Sequence, residues 1–170
     1  MIRLQNNGFT LIELLITMSI MVIMLAIAVP SYQTITTGVR MNTEINTLVA
    51  DLNFARSEAI KLGQPVTICP ATSTAVVCNS ASTLIWSAGW NVLNITGGTQ
   101  LRITNGVTHG DTMQGGVYSA TIPPIQFNAF GYTSFTGTVT LHDSNNDATQ
   151  RRCIVFVTGS WSTTTGATCP

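Results

Sequence analysis

Charge is what this chain has least of. Seven Lys or Arg and seven Asp or Glu make up 8% of its 170 residues, against about a quarter in a typical soluble domain. The two signs cancel, which argues against a protein that coats nucleic acid and against one with an acidic tail. Histidine occurs twice and cysteine four times, too few for a histidine-rich metal enzyme. No close C-x-x-C pair offers a zinc site, no G-x-S-x-G elbow presents a nucleophilic serine, and neither a phosphate loop nor a dinucleotide fingerprint occurs. Internal repeats are absent as well. Scarce charge does not mean disorder, which needs low hydrophobicity and high net charge, whereas this chain is 45% hydrophobic and neutral. With a mean hydropathy of +0.32, the chain is either linked to a membrane or covers its surface with uncharged polar groups. Both features are present.

Phe9 to Pro30 reads FTLIELLITMSIMVIMLAIAVP, apolar at seventeen of twenty-two positions. At ~1.5 Å per helical residue this run can cross a hydrocarbon core of ~30 Å. Before it stands MIRLQNNG, whose one charged side chain is Arg3. Three readings compete. Ala26-Ile27-Ala28 resembles the A-x-A cleavage site of a secretory signal peptide. A permanent anchor would use the same run. The third reading rests on Glu13. A carboxylate inside an apolar run opposes insertion by roughly 2.5–3.5 kcal/mol, and neither a signal peptide nor a plain anchor needs one there.

The string Gly8-Phe9-Thr10-Leu11-Ile12-Glu13-Leu14 closely resembles the processing site of type IV pilins and type II secretion pseudopilins. The resemblance implies cleavage by a prepilin peptidase between Gly8 and Phe9 and N-methylation of Phe9. It also implies that Glu13 is the assembly carboxylate, facing the amino terminus of a neighbouring subunit. The physical logic agrees, since a terminal amine and a carboxylate buried in lipid or in a filament core satisfy each other. Pro30 matches a proline common in these proteins and is the expected helix kink.

Past Ser31 the apolar run stops, yet helical periodicity continues. Ile45, Leu48, Leu52, Ala55, Ala59 and Leu62 alternate spacings of three and four and form one apolar stripe. Six charges lie between Arg40 and Lys61, mostly off the stripe, with Arg40 and Glu44 at i,i+4 and Glu58 and Lys61 at i,i+3. Gly63, Gln64 and Pro65 make a stop signal. The pattern predicts a helix of about fifty residues, ~80 Å long, with Gly38 a second point where it can bend. Heptads with e/g charge pairing are not sustained, so the stripe is expected to pack on a sheet rather than in a coiled coil.

After Gly63 the composition changes: residues 64–170 hold twenty threonines and only six charges. Short β-rich runs alternate with turn signals, namely Val66–Cys69, Thr83–Trp86, Trp90–Ile95, Gln100–Thr104, Ile125–Phe130, Gly137–His142 and Arg152–Val157. They predict an antiparallel β domain of ~7 strands and an α+β architecture. The segments Asp51–Lys61, Pro65–Cys69 and Trp86-Ser87-Ala88-Gly89-Trp90, in this order, resemble the GspH/FimT branch of minor pilins and pseudopilins. That family implies a type IV pilin-like lollipop, a long N-terminal helix packed on a C-terminal antiparallel β-sheet domain. The expected organisation is a leader over 1–8, a transmembrane or filament-core half-helix over 9–30, an amphipathic half-helix over 31–63, and a β domain over 64–170.

Four cysteines in an exported chain favour disulfides and allow three connectivities. The sequence-local pairs Cys69–Cys78 and Cys153–Cys169 are expected, because they close loops without demanding a particular topology. His142 neighbours Asp143, but strand neighbours point to opposite faces, and His109 lies in a glycine-rich loop. Trp86, Trp90 and Trp161 read as core or half-buried strand residues. No catalysis, cofactor or metal is expected. Some FimT-branch proteins bind DNA through a glycine–arginine-rich motif near the carboxy terminus. Here Val157–Thr163 carries serine and tryptophan where arginines would stand, so DNA binding is not carried over. Were DNA bound, Arg151 and Arg152 would touch the backbone and Trp161 would stack on a base.

The reading is of a minor pilin, processed by prepilin peptidase and incorporated into a type IV pilus, where it primes or caps assembly. Its partners would be other major and minor pilins or pseudopilins, the prepilin peptidase, the inner-membrane assembly platform and inner-membrane lipid. Its place before assembly would be the bacterial inner membrane, single-pass, with a periplasmic C-terminal domain. The alternatives are a type II secretion pseudopilin and a pilus-associated DNA receptor.

Overall fold

The computed structural model describes residues 9–71, 86–115 and 122–169. The chain divides into two compact units, residues 1–37 and 38–170. Helix α1 is Leu11–Leu62, fifty-two residues, with Pro30 inside it. Thr10 caps it: the Glu13 N–H donates to Thr10 Oγ1 at 3.3 Å. At its other end Gly63 adopts φ 62°. There Gln64 N–H reaches Ala59 O at 3.3 Å and Gly63 N–H reaches Ile60 O at 3.4 Å, a Schellman closure that satisfies the last carbonyls.

In the first unit the helix is apolar all round, with side chains from Phe9 to Val29 exposed and a hydropathy of 2.6 over its most apolar window. Its Thr17 and Ser19 hydroxyls are satisfied locally. Thr17 donates to Leu14 O at 2.9 Å and Ser19 to Leu15 O at 2.8 Å, so neither hydroxyl opposes an apolar environment. Pro30 has no N–H for the ladder, and the Thr34 hydroxyl donates to the Pro30 carbonyl at 3.2 Å.

The second unit holds two four-stranded antiparallel sheets. The strands are β1 (Val66–Pro70), β2 (Gly89–Asn94), β3 (Thr99–Asn105), β4 (Thr112–Gly115), β5 (Ile125–Phe127), β6 (Gly137–His142), β7 (Arg152–Val157) and β8 (Ser160–Thr165). One sheet runs β3-β2-β1-β5 and the other β4-β6-β7-β8. Met41, Ile45, Leu48, Leu52, Ala55 and Ala59 of α1 enter one core with Ile68, Val92 and Phe127 of the first sheet and Val139, Leu141 and Ile154 of the second. Trp86 and Trp90 are the largest side chains in it, their ring centroids 6.5 Å apart.

The sequence stripe survives with two changes. Met41 extends it, and Leu62 lies exposed past the last core contact. Eight strands are described, six of them at expected runs and two at none. Both extra ones, β4 and β8, are built of Thr, Ser, Gln and Gly with a single Met or Trp, so their hydrophobic alternation is too weak to announce them. Ile125–Phe130 ends as a strand at Phe127, where the Asn128 side chain caps a turn by accepting the Phe130 and Tyr132 N–H groups, each at 3.0 Å. Trp86 opens a short 3₁₀ turn, Trp86–Ala88, instead of closing a strand; residues 83–85 of that expected strand lie outside the described residues.

Candidate functional site

At the head of α1, Phe9 stands just before the cap and Glu13 in the first turn, both exposed. Thr10 and Glu13 have the S/T-x-x-E spacing of a capping box, a signal that marks the helix start in the sequence itself. Glu13 also sits in the first turn, at the end of the helix where the unpaired N–H groups point outward. Leu11, Ile12, Leu14 and Ile16 surround it with exposed apolar surface, and among the described residues no cation pairs with it. The arrangement is an anionic group fixed at a helix terminus on a surface otherwise free of charge. It is suited to receive a cationic donor from outside the chain. Gly8, the other half of the expected cleavage site, lies outside the described residues.

A second polar centre joins α1 to the strands. Asp51 lies on the apolar stripe and is 2% exposed. Its carboxylate accepts from Trp90 Nε1 at 2.7 Å, Arg102 Nη1 at 2.7 Å and Thr104 Oγ1 at 2.5 Å. Arg102 in turn lies over the Phe54 ring, 3.8 Å from its centroid. Asp111, also buried, takes a bidentate bond from Arg40 at 2.8 and 3.0 Å and a third from the Ser144 N–H at 3.0 Å. The expected Arg40–Glu44 pair is therefore not formed. Arg40 turns to Asp111, while Glu44 Oε1 accepts from the N–H and hydroxyl of Thr108 at 2.9 and 2.8 Å. Glu58 and Lys61 do pair, at 3.1 Å. A cleft of about 370 Å³ beside these groups is lined by Arg40, Glu44, Trp90, Asn105, Val107 and Thr108.

The structure does not assemble the three residues that would contact DNA. Arg152 donates to Asn42 on α1 at 2.6 Å and to the carbonyls of Gln150 and Arg151, both at 2.9 Å. Arg151 donates to Asn146 at 3.1 Å. Trp161 packs edge-on to Phe127 at 5.7 Å, with the Arg56 guanidinium 5.7 Å from its ring. Arg152 pairs with Thr165 and Trp161 with Phe156, so four strand steps, ~13 Å, separate them. Their faces are spent on packing.

Cys153 and Cys169 form a disulfide with Cα atoms 5.8 Å apart, fastening the end of the chain to β7. Cys69 is fully buried in β1, and its expected partner Cys78 lies outside the described residues. Asp143 accepts the Asp147 N–H at 2.7 Å and belongs to its own loop, not to His142, whose Nδ1 meets Asn146 Oδ1 at 2.9 Å. In the same loop the Thr149 N–H, and then its hydroxyl, hold the Asp147 carboxyl below the usual carboxylate range. Asn94 is buried and donates to Gln64 at 2.8 Å. Among the described residues, no three His, Cys, Asp or Glu side chains gather to hold a metal.

Residues 44–159 match the family model described as type II transport protein GspH, and residues 3–29 match the prokaryotic N-terminal methylation motif. A fimbrial protein of Pseudomonas aeruginosa is 30% identical over 118 residues, covering 66% of this chain and 76% of that protein. In fold the chain is similar to the type IV minor pilin FimU of Pseudomonas aeruginosa PAO1. One crystal form gives a TM-score of 0.58 at 19% identity, covering 76% of this chain and 92% of FimU. A second form gives 0.56 at 20% identity, covering 76% and 96%. A long N-terminal helix followed by antiparallel sheets is thus a type IV pilin fold. The chain belongs to the GspH family, a family of structural pilins and pseudopilins. With the methylation motif at the head of its apolar helix, it is a membrane-anchored pilin with a C-terminal globular domain.

Proposed function

We propose that this chain is a minor pilin, cut by prepilin peptidase between Gly8 and Phe9, methylated on Phe9 and incorporated into a type IV pilus. There it helps prime or cap the filament alongside other pilins. The observation that carries this reading is Glu13, an exposed carboxylate at the capped start of an otherwise apolar helix. Before assembly the helix would hold the chain in the bacterial inner membrane, with the β domain in the periplasm and the assembly platform as its partner. On assembly the Phe9 amine of a neighbour would neutralise Glu13 as both leave water, which removes the cost of burying either charge alone. The pairs Cys69–Cys78 and Cys153–Cys169 would protect the exported domain, and Pro30 would let the helix adjust where it enters the filament core.

Glu13→Ala should still be cleaved but should enter pili at least about tenfold less, since a Phe9 amine buried without its carboxylate is strongly destabilising. Immunoblots of sheared pili measure this, and normal incorporation would refute the role. Gly8→Ala should leave the leader attached; a mature N terminus at residue 9 in that variant would refute the cleavage site. The family description also favours a second reading, a type II secretion pseudopilin. Deleting the gene separates the two, because a pseudopilin's loss stops protein export and leaves pili intact. The DNA-receptor reading receives no support from Arg151, Arg152 and Trp161, which are engaged within the fold.

A further inference from the structure

The cleft of about 370 Å³ beside the Arg40–Asp111 pair is lined by α1 and by the chain that leaves β3. From α1 come Arg40, Thr43, Glu44 and Thr47, spaced i, i+3, i+4 and i+7, so that all four share one face of the helix. Val107 and Trp90, both packed on the core, supply apolar lining, and Thr108 adds a further hydroxyl. Apolar walls with a few convergent polar groups are the usual make-up of a binding cleft, and this volume lies within the usual range.

The hydrogen bonds decide what the cleft can take. A threonine hydroxyl has one proton to give and two lone pairs with which to receive. Thr43 gives its proton to Val39 O at 3.0 Å, and Thr47 gives its own to Thr43 O at 2.8 Å. Thr108 gives its proton to Glu44 Oε1 at 2.8 Å. All three hydroxyls are therefore left with lone pairs alone to offer a ligand. Arg40 commits Nε and Nη2 to Asp111, so that pair is neutral. Among the described lining residues, Glu44 is then the one uncompensated charge. Its Oε2 is buried and receives no hydrogen bond among the described residues, a costly state for a carboxylate oxygen.

We propose that this cleft binds a primary ammonium on an unbranched aliphatic stem, the chemistry of a lysine side chain or of a free alkyl diamine. An ammonium has three donors and no acceptor, which complements a lining of spent hydroxyls and one negative charge. Its stem would lie along Val107 and Trp90, as lysine stems cover apolar surface while the charged head seeks polar company. An anion would be repelled by Glu44, and a neutral polar group would leave that carboxylate uncompensated. The cleft has this chemistry whichever machinery the chain serves.

The test is an amide NMR titration of the full-length protein in detergent micelles. Nα-acetyl-lysine methylamide stands for a side chain on a polypeptide and putrescine for a free diamine. The Thr108 N–H, which donates to Glu44 Oε1 at 2.9 Å, is the reporter. Saturable shifts there are expected, and whichever amine binds more tightly identifies the source. Acetylating the lysine Nζ should weaken binding by at least about tenfold, and so should Glu44→Gln, because each removes one charge from a charge-assisted bond. Gln keeps an oxygen for Thr108, so the thermal midpoint of Glu44→Gln should stay within about a degree or two. Thr47→Val, on the exposed side of α1, should weaken binding about fivefold, the share of one neutral hydrogen bond. Absence of a saturable shift with both amines, equal binding of the acetylated lysine, or undiminished binding by either variant would each overturn the proposal.

Discussion

Asp51 concentrates the polar energetics of the globular unit in one side chain. It occupies a stripe position that by spacing should be apolar, and it is buried there because three donors converge on its two oxygens. Asp51→Ala would leave the Trp90 N–H and the Thr104 hydroxyl without an acceptor and Arg102 without a counter-ion. A loss of about 3 kcal/mol is expected in chemical denaturation. Arg102→Met should cost under about 1 kcal/mol, because the arginine side chain is 42% exposed and its stem still covers Phe54. Equal losses for the two would show that the ion pair, not the convergence of donors, matters. In the sequence Asp51 reads as one of six charges that lie mostly off the stripe. The period places it between Leu48 and Leu52, but nothing local announces Trp90, Arg102 and Thr104, which arrive from 39 to 53 residues away.

Elements are set mostly by their ends. Thr10 and Gly63 close α1 with a cap and a Schellman bond, and both residues can be read directly from the chain. The β5–β6 connection is less legible, for it depends on Asn128 accepting two N–H groups and on Gly131 lying against α1. Gly131 has φ +77°, and a Cβ there would come within 2.7 Å of Ile60 Cδ1. Gly98 has φ +60° with open space around it. Gly98→Ala should therefore cost about 1 kcal/mol, the left-handed penalty alone, and Gly131→Ala more, roughly 2 kcal/mol, measured by urea unfolding of each variant. Equal costs would mean that Ile60 yields freely.

For the whole molecule, one covalent tie stands out. The Cys153–Cys169 disulfide closes a loop of sequence separation 16 that contains β8, and chain-entropy arithmetic assigns such a loop about 3 kcal/mol. The double variant Cys153→Ser/Cys169→Ser should lower the unfolding midpoint of the oxidised protein by several degrees, and a calorimetric scan checks this. An unchanged midpoint would show that β7–β8 pairing alone fastens the end of the chain. The distribution of charge follows the same division of labour. The apolar helix keeps Glu13 alone, while Arg40, Asp51, Arg102 and Asp111 are spent on internal pairs. Beyond a few exposed charges such as the Glu58–Lys61 pair, the globular surface relies on uncharged polar side chains.

What the chain determined by itself was everything carried by local chemistry. That includes the length and apolar character of α1, its cap and stop, the processing motif with Glu13, and those strands whose alternation is strong, β6 and β7 to the residue. The near-absence of charge was legible at once, and so was the single carboxylate in the apolar run. Tertiary structure decided the rest, because it depends on groups far apart in sequence. It divided the strands between two sheets, sent Arg40 to Asp111 instead of Glu44, buried Asp51, and locked Arg152 and Trp161 into packing. Periodicity records which face of an element is apolar. Only the fold determines which distant donor meets a buried acceptor, since a buried polar group must be satisfied by whatever the chain's path brings beside it.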